Sequence, residues 1–160
     1  MCAKVTSIGL KGMEGYRVNV EVRAFVGADS FRIVGLPDAA VKESKERIIA
    51  ALQSLGYPLS GEKIIINLSP AEQKKSGPMF DFSMAISVLQ SLNELDDNIP
   101  EDAGFIGALS LDGTIMPVEG MLPAVLAAKK VGIHKLYMPY DKRLPRLELP
   151  ELEILYVSSM

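Results

Sequence analysis

Polar and apolar side chains alternate with period two along Arg17-Val18-Asn19-Val20-Glu21-Val22-Arg23-Ala24-Phe25, which predicts a half-buried antiparallel strand. Ala3 to Leu10 precedes it across the Gly12 to Gly15 connection. Phe31 to Leu36 follows Gly27-Ala28-Asp29, so the first third reads as a meander. The period then changes. Val41, Ile48, Leu52 and Leu55 fall on one helical face, and Lys42, Glu43, Lys45, Glu46 and Arg47 occupy the rest. Asp38 is placed as its N-cap or first-turn acid, Glu43 and Arg47 form a favourable i,i+4 pair, and Gly56 with Pro58 ends it.

Lys63 to Leu68, with three consecutive isoleucines, predicts a central strand covered on both faces or tightly on one. Phe82 to Leu92 is nearly all apolar and predicts a buried helix. Its Ser83, Ser87 and Ser91 either mark the less buried side or bond back to helix carbonyls. Gly104 to Ser110, Asp112-Gly113 and Thr114 to Val118 predict a hairpin with a type I′ turn. Pro123 suits the first turn of a third helix running to Lys129-Lys130 and Gly132. Lys135 to Met138 and Leu152 to Val157 read as strands, joined by a proline-broken connector from Asp141 to Leu147. The core is expected at Ile64, Ile65, Ile66, Met84, Ile86, Val88 and Leu89. One α/β domain accounts for all of this.

At 160 residues the chain can bury a core without disulfides or metal. A single cysteine, Cys2, excludes an intramolecular disulfide and fits a reducing cytoplasm. One histidine with one cysteine does not make a zinc site, and no acidic cluster resembles a magnesium site. No apolar run approaches about 18 residues, so no membrane-spanning helix is expected, and the first residues lack an apolar stretch of signal-peptide length. The net charge of −3 argues against a domain that coats nucleic acid, and leaves a local basic patch open.

The stretch Val34-Gly35-Leu36-Pro37-Asp38-Ala39-Ala40-Val41-Lys42-Glu43-Ser44-Lys45-Glu46-Arg47 closely resembles a signature of the Mg-chelatase-like AAA+ ATPases of the ComM type. Asn67-Leu68-Ser69-Pro70-Ala71, Lys75, Gly77 and Phe80-Asp81 continue the resemblance in order. So do Gly107 to Gly113 and Pro117-Val118 with Gly120 and Leu122-Pro123. The resemblance implies a Lon-protease-like fold of the ribosomal protein S5 domain 2 type. That is a two-layer α+β (α/β) domain with a mixed sheet and helices mainly on one face. It further implies that residues 1–160 form a single N-terminal domain of a longer AAA+ protein.

A Lon-type protease keeps a serine directly after Gly-Pro and a lysine two residues after the last glycine of its second motif. Here those positions are Met79 and Leu122. Neither side chain supplies a nucleophile or a base, so the resemblance implies a retained scaffold and a lost reaction. Met79 and Leu122 are expected to adjoin and pack as core or interface. Two alternatives stay open: a peptidase with a shifted dyad using Ser76 or Ser83, and a metal-chelatase subunit domain. Against the first, Lys129 lies two turns from Leu122.

No G-x-x-x-x-G-K-[ST] loop occurs, so no cofactor is expected in this segment. ATP and Mg²⁺ are implied for an AAA+ domain beyond it. The implied partners are that C-terminal AAA+ domain, DNA for the whole protein and further copies in a homo-oligomeric ring. Lys63, Lys74 and Lys75 are the candidate nucleic-acid contacts, the last two in a loop read as solvated. His134 reads as a structural or solvent-facing loop residue.

Overall fold

The computed structural model describes residues 2–95, 99–144, 149 and 151–160. The chain begins with β1 (Cys2–Lys11), β2 (Glu14–Val26), β3 (Ser30–Val34), α1 (Ala39–Ser54) and β4 (Glu62–Ser69). A 3₁₀ turn (Pro78–Phe80) runs directly into α2 (Asp81–Ser91). Then follow β5 (Ala103–Phe105), β6 (Ala108–Leu109), β7 (Ile115–Met116), α3 (Met121–Ala128), β8 (Lys135–Met138) and β9 (Glu153–Tyr156). Part of the connector expected from Asp141 to Leu147 lies outside the described residues.

Seven strands form a mixed sheet in the order β3-β4-β2-β1-β5-β8-β9. β1 and β4 both run antiparallel to β2, while β3 pairs in parallel with β4, and β5 with β1 and β8. The expected meander is therefore corrected: β3 does not return against β2, because β4 occupies that edge. Ile66 of β4 has Val22 of β2 on one side and Ile33 of β3 on the other. The chain reaches this arrangement by crossing over through α1. Asp38 caps that helix, its Oδ1 accepting from the Val41 N–H at 2.8 Å.

Alternation sorts the strands into two faces. Val18, Val20, Val22 and Ala24 of β2 and Ile64, Ile66 and Leu68 of β4 are buried in one cluster with Val41, Ile48 and Leu52 of α1 and Phe82, Met84, Val88 and Leu89 of α2. β4 is thus covered tightly on one face, and Ile65 on its other face is half-buried. Ile86 is also half-buried, packed at the margin of that cluster. All three serines of α2 are buried. Ser83 and Ser91 donate to the carbonyls of Phe80 and Val88, the back-bonding that lets hydroxyls sit in an apolar helix.

α1 and α2 share that face; α3 packs against the other. A methyl group on Gly15 of β2 would lie 2.3 Å from Cβ of Ala127, so glycine is what permits α3 to approach the strand. Met121, Ala124, Val125 and Ala128 of α3 form a second cluster with Ile8, Ile106, Ile133, Leu136 and Met138.

β6 and β7 form a hairpin shorter than the one expected, because Gly104 and Phe105 belong to β5 in the main sheet, and its turn also differs. Asp112 does not adopt positive φ, while Gly113 does (φ +93°). Ser110 N–H donates to the Thr114 carbonyl and Gly113 N–H to the Ser110 carbonyl. This is the three-residue loop with a left-handed glycine bulge, in place of the type I′ turn that needs two positive φ values. Among the described residues no helix is long and apolar enough to cross a membrane.

Candidate functional site

The two diverged motifs meet. A cavity of about 420 Å³ is lined by Ile8, Gly9 and Leu10 at the end of β1, by Ser76 to Phe80, and by Val118 and Glu119. Met79 is buried, and a methyl group built on Gly120 would lie 3.7 Å from its Cε. The 3₁₀ turn that carries Met79 is held by its own carbonyl, which accepts from Gly107 N–H at 2.9 Å, and by Phe82 N–H on the Gly107 carbonyl at 3.1 Å.

From the second motif the inward residue is Met121, buried in the same cluster as Met79. Leu122 is half-buried and belongs to neither core cluster. The expectation that Leu122 packs on Met79 is corrected by one position. Leu122 is turned by about 100° from Met121 and lies outside the cluster that Met121 joins.

A second arrangement lies beside this cavity. Lys75 is fully buried, its Nζ donating to the Gly35 carbonyl at 2.8 Å and to the Pro70 carbonyl. Its backbone is paired as well: Lys75 N–H donates to the Leu36 carbonyl, and Asp38 N–H donates to the Lys75 carbonyl. Burial pulls the Lys75 amine below the usual lysine range, partly opposed by Glu72. Gly35 has φ +105°, and a Cβ there would stand 2.0 Å from the Leu68 carbonyl oxygen, so only glycine closes this corner. Asp38 Oδ2 accepts from Gly77 N–H at 3.3 Å. Lys75 is therefore neither in a solvated loop nor available to nucleic acid. Its charge is consumed in tying the segment around Gly35 to the segment around Pro70.

The third arrangement centres on Asp81, the first residue of α2. It is fully buried and accepts from Ser44 Oγ, from Arg47 Nε at 2.6 Å and Nη2 at 3.1 Å, and from Leu109 N–H at 3.0 Å. The hydrogen bond to Asp81 raises the Arg47 guanidinium above its ordinary value, and Glu43 at 3.8 Å adds to this. Asp81 thus joins α1, α2 and β6. Its charge is spent on α1 rather than on a reacting group. The signal was present in the sequence: an aspartate opening an almost wholly apolar helix needs a cation, and Arg47 lies in the neighbouring motif.

The other expected site residues disperse. Lys74 is exposed beyond the end of β4, whereas Lys63 is half-buried at its start. Ser76 is exposed on the cavity rim, and Ser83 Oγ is committed to the Phe80 carbonyl. Neither serine meets the Lys75 amine. His134 Nδ1 lies 3.4 Å from Asp102 at the surface. The sequence contains no G-x-x-x-x-G-K-[ST] loop, and among the described residues no three carboxylate, histidine or cysteine groups converge.

The family described as subunit ChlI of Mg-chelatase matches residues 20–142. The chain belongs to this family. An uncharacterised protein of Mycobacterium tuberculosis is 37% identical over 143 residues, covering 89% of this chain and 28% of that protein. Competence protein ComM of Haemophilus influenzae is 35% identical over 128 residues, covering 80% of this chain and 25% of its own length. Lon protease of Lachnoclostridium phytofermentans is 29% identical over 156 residues, 93% of this chain and 18% of that enzyme. The chain thus spans about a quarter of the length of the curated ChlI-type relatives it matches. Likeness to both ComM and Lon fits the geometry: the Mg-chelatase-like motifs build the Lys75 and Asp81 arrangements, and the Lon-like layout brings Met79 to Gly120.

Proposed function

We propose that this chain is the non-catalytic accessory domain of a Mg-chelatase-like AAA+ ATPase that processes DNA in recombination, branch migration and natural transformation. The observation that carries the proposal is the meeting of Met79 with Gly120 at a cavity that has no lysine in its lining. A Ser-Lys peptidase needs a hydroxyl within hydrogen-bond reach, about 2.6–3.2 Å, of an amine whose pKa is lowered by burial. Among the described residues one lysine amine, Lys75, is lowered by burial, and both described acceptors on its Nζ are backbone carbonyls. On this reading the cavity is a shaped surface kept for assembly. ATP and Mg²⁺ belong to a further domain of the same polypeptide, and a homo-oligomeric ring acts on DNA in the cytoplasm. The relative named as a competence protein supports the link to DNA uptake.

The test compares the whole polypeptide with a version lacking residues 1–160. ATP hydrolysis is expected to persist without them, and DNA-stimulated turnover and branch migration to fall. Equal DNA processing by both would sink the accessory role. Cleavage of casein by the chain itself would sink the non-catalytic one. The double substitution Met79→Ser with Leu122→Lys is expected to remain inactive, because Leu122 lies outside the Met79 cluster.

A further inference from the structure

The sheet is covered unevenly. Opposite α1 and α2, α3 closes only the end where Gly15 meets Ala127, and the remainder of β1 to β4 faces outward. The register places cross-strand neighbours there in rows. Lys63 stands beside Phe25; Ile65 stands between Arg32 and Arg23; Asn67 and Glu21 lead to Lys4. Lys4, Arg23 and Arg32 are exposed and Lys63 is half-buried. Four cations thus share a face with one carboxylate, on a chain whose net charge is −3.

Glu21 is engaged by Asn67 at 3.4 Å. Among the described residues none of the four cations has an ion pair. Like charges gathered on one sheet face repel, and Glu21, opposite Lys4, and the Phe25 ring offset them only in part. Phe25 is 40% exposed, with the Arg23 guanidinium 5.9 Å and the Lys63 amine 5.6 Å from its ring centre. A depression of about 350 Å³ opens on the same face between Lys4, Glu21, Arg23, Ile65 and Asn67.

We propose that this face binds single-stranded nucleic acid, its cations meeting phosphates and Phe25 stacking on a base. The proposal rests on the DNA-acting reading above and names the surface that serves it. A broad sheet does not enter a duplex groove as a helix does, whereas the free bases of a single strand stack on an exposed ring flanked by cations. Neither Lys74 nor Lys75 belongs to the surface.

The experiment measures binding of the chain to a labelled oligo-dT of about 30 nucleotides at low salt, where stacking and phosphate contacts both register. Replacing Arg23, Arg32 and Lys63 together by alanine is expected to weaken binding about ten-fold or more and to lower the salt slope by about two. Phe25→Ala is expected to lose about five-fold on oligo-dT and nothing on inorganic polyphosphate. Lys74→Ala is expected to leave binding unchanged. Should the triple variant melt early, the single variants, all outside the core, carry the same comparison. Unchanged affinity in the charge variants overturns the proposal, as does equal competition by polyglutamate, which would mark the face as a site for an acidic protein. If the full-length protein carrying the triple substitution processes DNA normally, this face is wrong and the accessory role stands. If deleting the whole domain changes nothing, the accessory role itself fails.

Discussion

Two interiors lie side by side in this domain and are built on opposite terms. Around Lys75 and Asp81, charged groups are fully buried and held by carbonyls, a hydroxyl, a guanidinium and a backbone N–H. Around Met79 and Met121 the interior is apolar, with Ser76 and Glu119 on its exposed rim. A search for chemistry by buried titratable groups leads to the first, and a search by Lon-like position leads to the second. The comparison separates the two signals. Buried charge here is structural, because it is already committed to its neighbours. The position that corresponds to a nucleophile is packed with sulfur and carbon.

That contrast breaks most directly at Asp81. Asp81→Ala strips a half-buried guanidinium, a buried hydroxyl and a backbone N–H of their acceptor and is expected to cost about 3 kcal/mol in denaturant unfolding. A loss no larger than that of a surface substitution would mean that the Asp81 arrangement holds little together. Met79→Ala removes buried methylenes beside an existing cavity, so its cost should fall near the low end of the large-to-small range, about 2 kcal/mol. A greater loss than at Asp81 would reverse the comparison. Lys75→Met keeps the length of the side chain but leaves the Gly35 and Pro70 carbonyls without that donor, at about 1–3 kcal/mol. Stabilisation instead would show that the burial cost of the amine exceeds what its hydrogen bonds return.

The smallest effect is expected at an exposed control, Asp112 in the β6–β7 turn. Hydrogen bonds from Ser110 and Thr114 hold its carboxyl down at about 2, against 3.8 ordinarily. A depressed carboxyl contributes stability that is present above pH 3.8 and is lost as pH falls towards 2. Asp112→Asn should therefore narrow the stability difference between pH 5 and pH 2 slightly. A wider difference would contradict the sign.

Much of the fold could be read along the chain, because its cues are local. The alternation in β2, the Asp38 cap, the apolar run of α2 and the glycine after Asp112 each act within a few residues. The same applies to the candidate site: Met79 and Leu122 are visible as the wrong residue types wherever the chain goes. Three features were not legible. Lys75 follows another lysine in a loop and reads as solvated, yet its acceptors include a carbonyl 40 residues away. β3 reads as the next strand of a meander, yet β4 takes the edge of β2. Leu122 rather than Met121 reads as the partner of Met79, yet a rotation of one residue decides between them.

The sequence by itself determined the periods, the caps, the buried helix and the lack of a Ser-Lys pair at the motif positions, since each depends on residue type and short spacing. Only the tertiary structure decided which charges are buried, on which side α3 lies and which cations share the open face. Those outcomes depend on strand register and on partners far apart in the chain. A buried charge is tolerable only when such partners arrive together.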